Sequence, residues 1–395
     1  MTASRAAAPV TLALDTPLAL LGLALLLVGL IAISSASIEY ADWHYQNPWF
    51  HTQRHMIYLG LALGGAYAVY RVPPKFWLDT GWIWLFVALA LLILVLIPGI
   101  GREVNGSQRW LPLGPFTLQP SEFAKMAMVI YLAGYTVRRE HEVRNHWQGF
   151  LKPMTVLFAT TLLLMIEPDF GATVIVVGTA FGMLFLAGVK LGHFLLVLLG
   201  ALGAMLVLVL SAPYRVKRLT AYTDPWADPY DTGFQLTQSL IAFGRGEWLG
   251  VGLGNSVQKL FYLPEAHTDF VFAVLAEEFG LFGVCVVITL YSVLVWRAFR
   301  IAAQAARAGN PFAQHLAYGI GIWFGLQSFI NVGVNMGLLP TKGLTLPLMS
   351  YGGSSVIVMC LALALLLRID HETCCTAEGL PASGTAAAKR ARPRT

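Results

Sequence analysis

Apolar runs near the ~20 residues that a helix needs to cross a hydrocarbon core recur along the whole chain, separated by shorter polar stretches. They fall at residues 16–37, 54–71, 78–98, 120–137, 153–166, 172–188, 193–211, 270–296, 314–336 and 351–368. Each predicts a helix, because lipid offers no partner to an open strand edge. The pattern predicts an all-α, polytopic membrane protein of about ten transmembrane helices with one long loop, 212–269. The first run ends in Ser35-Ala36-Ser37, as a secretory leader would, but it is too long for a leader's apolar core and further spans follow. It is read as an uncleaved helix.

Composition supports this reading. Of 395 residues, 57% are hydrophobic and only 12% charged, against roughly a quarter charged in soluble domains. Folding in water is not expected, and one continuous membrane domain over 16–370 is, with a cytoplasmic segment 1–15 and a disordered cytoplasmic tail 371–395 rich in Ala, Pro and Arg. The net charge of +5 is spread over short loops and forms no stripe, which argues against nucleic acid. It instead sets orientation. With the N-terminus in the cytoplasm, Arg71, Lys75, Arg138, Arg139, Arg144, Lys152, Lys190, Arg297, Arg300 and Arg307 all fall in inner loops, as the positive-inside rule requires. Both termini are then cytoplasmic, and loop 212–269 lies outside. Cys285, Cys360, Cys374 and Cys375 have no spacing suited to a metal or a disulfide framework.

Polar residues with chemical capacity gather on the outer side. In Leu263-Pro264-Glu265-Ala266-His267-Thr268-Asp269-Phe270 a turn runs into the eighth span, with Thr268 a candidate N-cap and Asp269 at the span's mouth. Helical spacing puts Ala273, Ala276, Gly280 and Gly283 near the same face, a small-residue stripe that turns Asp269 toward the bundle interior. A role in favouring the helix dipole is the alternative for Asp269. Glu277 and Glu278 lie deeper and need a partner or water, and one is expected to pair with a base. Pro120 opens the fourth span, where Lys125 either meets an anionic substrate group or closes an internal salt bridge with Glu122, one turn away.

Arg54, Arg102, Arg109 and Lys342 share the outer side, where guanidinium and ammonium groups suit a pyrophosphate. Glu167-Pro168-Asp169-Phe170-Gly171 reads as a tight turn that leaves a ligand role for its two acids open. Gly250-Val251-Gly252-Leu253-Gly254 lacks the strand and Lys-Ser/Thr ending of a phosphate loop and reads as flexible turns. Asp224, Asp228 and Asp231 could gather a divalent cation, but Asp-Pro turns explain two of them.

Taken together, Asn105-Gly106-Ser107-Gln108-Arg109-Trp110, Gln119-Pro120-Ser121-Glu122, the 167–171 turn, Pro264–Phe270 and Leu348-Met349-Ser350-Tyr351-Gly352-Gly353-Ser354-Ser355 resemble the SEDS family, in family order over roughly residues 15–370. Leu339-Pro340-Thr341-Lys342-Gly343 and the exit Arg368-Ile369-Asp370 resemble its Gram-negative division branch. The elongation branch usually has apolar residues where Thr341 and Lys342 stand. The resemblance implies a ten-helix fold in the inner membrane at the division septum and polymerisation of lipid II into glycan strands. It also implies a class B penicillin-binding protein of the division transpeptidase type as partner, alongside other divisome membrane proteins and membrane lipids. No cofactor is implied; a divalent cation is the one candidate. Asp269 matches the family's essential aspartate and is expected to be the general base, and Glu122 and Lys125 match its interior charged pair. Arg109, Lys125, Lys342, Arg54, Arg102, Glu265 and His267 are the expected substrate-binding residues. The competing readings are a flippase of the same lipid, since buried charges also mark transport paths, an elongation-type polymerase, and a noncatalytic scaffold.

Overall fold

A computed structural model describes residues 15–104, 107–114, 116–211, 222–231, 233–341 and 343–377. Ten helices of 17 residues or more form the described bundle: α1 (Thr16–Tyr45), α2 (Phe50–Arg71), α3 (Pro74–Leu96), α4 (Pro120–Arg138), α6 (Trp147–Ile166), α7 (Phe170–Leu186), α8 (Leu191–Leu210), α10 (Val271–Arg307), α11 (Pro311–Asn335) and α12 (Gly353–Ala377). A short α5 (Glu140–Asn145) and a thirteen-residue α9 (Phe234–Gly246) complete the helices used below. Five of the long helices, α1, α3, α6, α10 and α12, are apolar and long enough to cross a membrane on length and composition alone. The helices α2, α4 and α11 are more polar because they carry the buried His51 and His55, Glu122 and Lys125, and Gln327, Asn331 and Asn335.

Local chemistry sets the ends. Proline stands in the first turn of α1, α3, α4 and α11, where its missing N–H costs nothing. Asp15, Asp169 and Asn310 cap α1, α7 and α11 through side-chain oxygens. Several ends differ from the apolar pattern. Helix α1 runs eight residues past 37, to Tyr45, because no breaker precedes Asn47-Pro48. Helix α12 passes residue 370 and reaches Ala377, with His371 and Cys375 buried and Arg368 3.5 Å from Glu372, so the first residues assigned to the tail belong to the bundle. Residues 1–14 and 378–395 lie outside the described residues.

The loop after α3 folds into a small antiparallel sheet, β1 (Arg102–Val104), β2 (Ser107–Leu113) and β3 (Phe116–Leu118), in the order β1-β2-β3. It sits at the end of the bundle where α4, α7, α10 and α12 begin. At the opposite end Arg297 Nε meets the Asp15 carboxylate at 2.7 Å, tying the start of α1 to α10. The core between is apolar and continuous, with Trp323, Phe272, Phe324 and Met128 among its largest closed side chains.

Helix α10 is broken at Gly280, which has φ 63° and ψ −162°. The carbonyls of Glu277 and Glu278 accept from the N–H groups of Val251 and Gly252, both at 3.0 Å, while Leu281 and Phe282 donate to Glu247 and Trp248 at 2.9 and 3.1 Å. The loop thus occupies the gap in the helix's own ladder. Only glycine fits at Gly250, where φ is +79° and a Cβ would lie 2.1 Å from the Glu278 carbonyl oxygen. This docking is the use of the first glycines of the Gly250–Gly254 motif, and a turn closes the rest of it, with Asn255 N–H donating to the Gly252 carbonyl at 3.1 Å. Both acids expected to need partners have them. Glu277 accepts from Ser256 Oγ and from the N–H groups of Val257 and Gln258. Glu278 accepts from Lys259 Nζ at 3.0 Å, Ser35 Oγ at 2.5 Å and Gly254 N–H at 3.1 Å.

Candidate active site

Among the described residues, a cavity of about 180 Å³ opens at the sheet end of the bundle, lined by Arg109 and Trp110 from β2, Gln119 and Glu122 at the start of α4, Asp169 and Ala172 at the start of α7, Glu265, Thr268 and Asp269 before α10, and parts of 343–355. Four carboxylates and one guanidinium therefore face one space.

Asp269 is held by its backbone. Its carbonyl accepts from Asn331 Nδ2 at 2.9 Å and Asn335 Nδ2 at 3.0 Å. Asn335 Oδ1 accepts from Ala273 N–H at 3.1 Å, so this asparagine, from another helix, satisfies the open start of α10. The capping role weighed for Thr268 is thereby displaced: Thr268 Oγ1 donates to the Glu265 carbonyl and carboxylate, and α10 begins only at Val271. Among the described residues nothing donates a hydrogen bond to the Asp269 carboxylate. Beside it Gly343 leaves the necessary room, since a Cβ there would lie 2.9 Å from Asp269 Oδ2. Burial, reinforced by the negative charges of Glu265 and Asp169 and opposed by Arg109, pushes the Asp269 carboxyl up from 3.8 to about 7. A carboxylate tuned to neutral pH can exchange a proton there.

The turn between α6 and α7 supplies two further acids, Glu167 and Asp169. Asp169 Oδ1 caps α7 while Oδ2 has no partner. Both oxygens of Glu167 are buried without a partner, and burial plus the Asp169 charge push its carboxyl up to about 8. Arg109 secures this turn, donating from Nε to the Glu167 carbonyl at 3.2 Å and from Nη2 to the Pro168 carbonyl at 2.5 Å. It is therefore both a brace and the one cation lining the cavity among the described residues.

The other expected ligands separate. Lys125 is 2% exposed and does not line the cavity: its Nζ donates to Glu122 Oε1 at 2.8 Å and Gln327 Oε1 at 2.9 Å and lies 5.6 Å from the Trp323 ring centre. Its ammonium is consumed inside the bundle. Glu122 Oε2 keeps no partner, and Glu122 lines the cavity. Arg102 is exposed on β1, and Arg54 lies against the Phe50 ring; neither lines the cavity. His267 stands behind it, its ring 4.8 Å from that of His51 and its carbonyl accepting from Tyr351 N–H, and burial lowers it to about 4, keeping it neutral. Lys342 falls outside the described residues. No group of three His, Cys, Asp or Glu side chains among the described residues is arranged to hold a metal ion.

Gln327, Asn331 and Asn335 escaped the sequence reading, although their four-residue spacing in an apolar span marks a polar stripe on one helix face. The serines of the 348–355 motif lock the cavity's wall: Ser354 Oγ accepts from Gln119 N–H and donates to the Thr117 carbonyl, Ser355 pairs with Thr345, and Ser350 accepts from Leu346 N–H.

Residues 16–374 match the family model FTSW_RODA_SPOVE, described as cell cycle protein. The chain is 59% identical over 358 residues to a protein of Nitrosococcus halophilus named probable peptidoglycan glycosyltransferase FtsW, covering 90% of this chain and 92% of that one. A Legionella pneumophila protein of the same name is 54% identical over 348 residues, 88% of each. Among solved structures, a chain from a study of how a peptidoglycan synthase complex coordinates polymerization and crosslinking aligns with a TM-score of 0.75 at 30% identity, over 92% of this chain and 99% of that one. The rod shape determining protein RodA of Thermus thermophilus aligns at 0.68 and 27% identity, over 92% and 99%.

Proposed function

Since the chain belongs to the cell cycle protein family of FtsW, RodA and SpoVE, we propose that it is a peptidoglycan glycosyltransferase that polymerises lipid II during septal wall synthesis, with Asp269 as its general base. The acceptor sugar's 4-hydroxyl attacks the donor's anomeric carbon, its proton passes to the Asp269 carboxylate, and the bond to undecaprenyl pyrophosphate breaks with the electron pair leaving on the phosphate. The leaving group is already anionic, so it needs charge neutralisation more than protonation. Arg109 supplies that charge from the cavity wall; the sequence assigns the same role to Lys342, which lies outside the described residues. The observation that carries the proposal is the Asp269 carboxylate at a polar cavity, its backbone fixed by two asparagines and its proton affinity raised to about 7.

The cavity end faces the periplasm, both termini the cytoplasm, and a class B penicillin-binding protein crosslinks the product. The charge bias of the loops supports this orientation, and the similarity to a synthase complex supports the partnership. The buried ion pairs Lys125–Glu122 and Lys259–Glu278 lie near the cavity end and Arg297–Asp15 and Arg368–Glu372 at the other, and among the described residues no buried ion pair lies between them, which favours polymerisation over flipping.

Asp269→Asn tests the proposal. Polymerisation of labelled lipid II by the complex should fall about 10²–10⁴-fold, the usual worth of a positioned base. The melting temperature should hold or rise at pH 8, because the variant removes a carboxylate that the fold disfavours: the folded value lies above the unfolded one, so this group's cost to stability grows as pH rises from about 4 to about 7. Wild-type activity should climb with a limb near pH 7. Near-wild-type polymer from the folded variant would remove Asp269 from the mechanism.

A further inference from the structure

The segment Trp248-Leu249-Gly250-Val251-Gly252-Leu253-Gly254 carries no charge, although it belongs to a loop otherwise rich in acids and bases. Trp248 and Leu249 are 75% and 80% exposed, the more conspicuous because the segment's backbone is firmly docked. The four hydrogen bonds across the break at Gly280 put Trp248 beside Phe282, itself 68% exposed on α10. From Phe282 an exposed apolar band continues down α10 through Val286 and Val293, the surface such a helix turns to lipid.

Depth follows from helix geometry. From Gly280 to Arg297, whose ion pair with Asp15 marks the opposite end, α10 rises about 25 Å at 1.5 Å per residue. That is close to the thickness of a hydrocarbon core, so the break and the docked segment lie at the boundary on the cavity side. Tryptophan is favoured at that level, where an apolar ring meets the headgroups.

We propose that residues 248–253 are a membrane-interfacial wedge, with Trp248, Leu249 and Leu253 inserted among the lipids of the cavity-side leaflet. The occupant of this face is lipid, because the patch is uncharged, continuous with the lipid-facing surface of α10 and held at bilayer depth by that helix's own broken ladder. Its backbone leads through Ser256 and Lys259, clamped by Glu277 and Glu278, to the turn that bears Asp269. The leaflet therefore braces the loop that presents the carboxylate.

A nitroxide on Leu249→Cys or, as a second probe, Leu253→Cys tests this in the full chain, with Cys285, Cys374 and Cys375 replaced by serine. The protein is placed in nanodiscs of phosphatidylethanolamine and phosphatidylglycerol, and collisions with oxygen and with a water-soluble nickel chelate are compared. The expected oxygen-to-nickel ratio at both sites is several-fold above that of a label on Tyr230→Cys, a residue 90% exposed, and close to that of a label on Phe282→Cys. Ratios equal to the Tyr230 label would put the segment in water and overturn the proposal. Shielding from both reagents in the protein alone, or only once its transpeptidase partner is added, would assign the face to a protein contact and overturn it as well.

Discussion

Two sets of buried charge stand side by side at one end of this bundle and differ in a single respect. Around Lys125 and around Glu278 the ionised groups are met: ammonium to carboxylate at 2.8 and 3.0 Å, with Gln327, Ser35 and a backbone N–H meeting further sites. Around Asp269, Asp169 and Glu167 they are not; acids crowd together, one guanidinium lies near, and several oxygens have no partner. Desolvation acts on both sets, and only pairing offsets it. The paired set holds helices together. In the unpaired set Asp269 and Glu167 keep their proton affinity near neutrality, and several oxygens stay available, which is the state a reacting group needs. Glu122 belongs to both, one oxygen on Lys125 and the other free at the cavity.

The sharpest way to break this distinction is to damage the paired set. Lys125→Ala strands Glu122 and Gln327 inside the bundle and should cost about 3–5 kcal/mol of stability. It should lower the melting temperature and the yield of folded protein along with activity. Unchanged melting with selective loss of lipid II binding would move Lys125 into the reacting set.

A smaller effect, of opposite character, is expected at Gly343. The added methyl of Gly343→Ala would press on Asp269 Oδ2, and the carboxylate can swing aside, so stability should change by less than about 1 kcal/mol. A displaced reacting group is costly, on the order of 10²-fold per ångström, so a shift of a few tenths should slow polymerisation severalfold to tenfold. Unaltered rates would mean that the carboxylate's position is not demanding.

The least effect belongs to Glu167→Gln. The wild-type carboxyl, at about 8, is mostly neutral at pH 7, and the amide resembles it in shape. Its folded value exceeds the ordinary 4.5, so wild-type stability falls as pH rises between those values. The variant should match wild type near pH 4 and gain in melting temperature toward pH 9. A variant that instead loses melting temperature as pH rises would show that Glu167 is paired.

How much of this was legible beforehand depended on the range of the interaction. The apolar runs marked the long helices because crossing lipid demands length and hydrophobicity within one segment, and the Pro264–Phe270 motif marked Asp269 because proline, turn and helix start are neighbours in the chain. Charge sign alone did not separate Lys125 from Arg109. Both are cations on the same side in the linear pattern, and only packing closed Lys125 inside and turned Arg109 toward the cavity.

The chain by itself therefore determined a helical membrane bundle, its approximate spans and the end at which its acids collect, since each follows from local composition and helical period. Tertiary structure alone decided that Asn331 and Asn335 grip a carbonyl 62 and 66 residues away, that α10 breaks to admit a loop, and which acids stay unpaired. The physical reason is that desolvation and hydrogen-bond satisfaction are properties of a group's surroundings. For a buried carboxylate those surroundings come from other helices, and no spacing within its own segment specifies them.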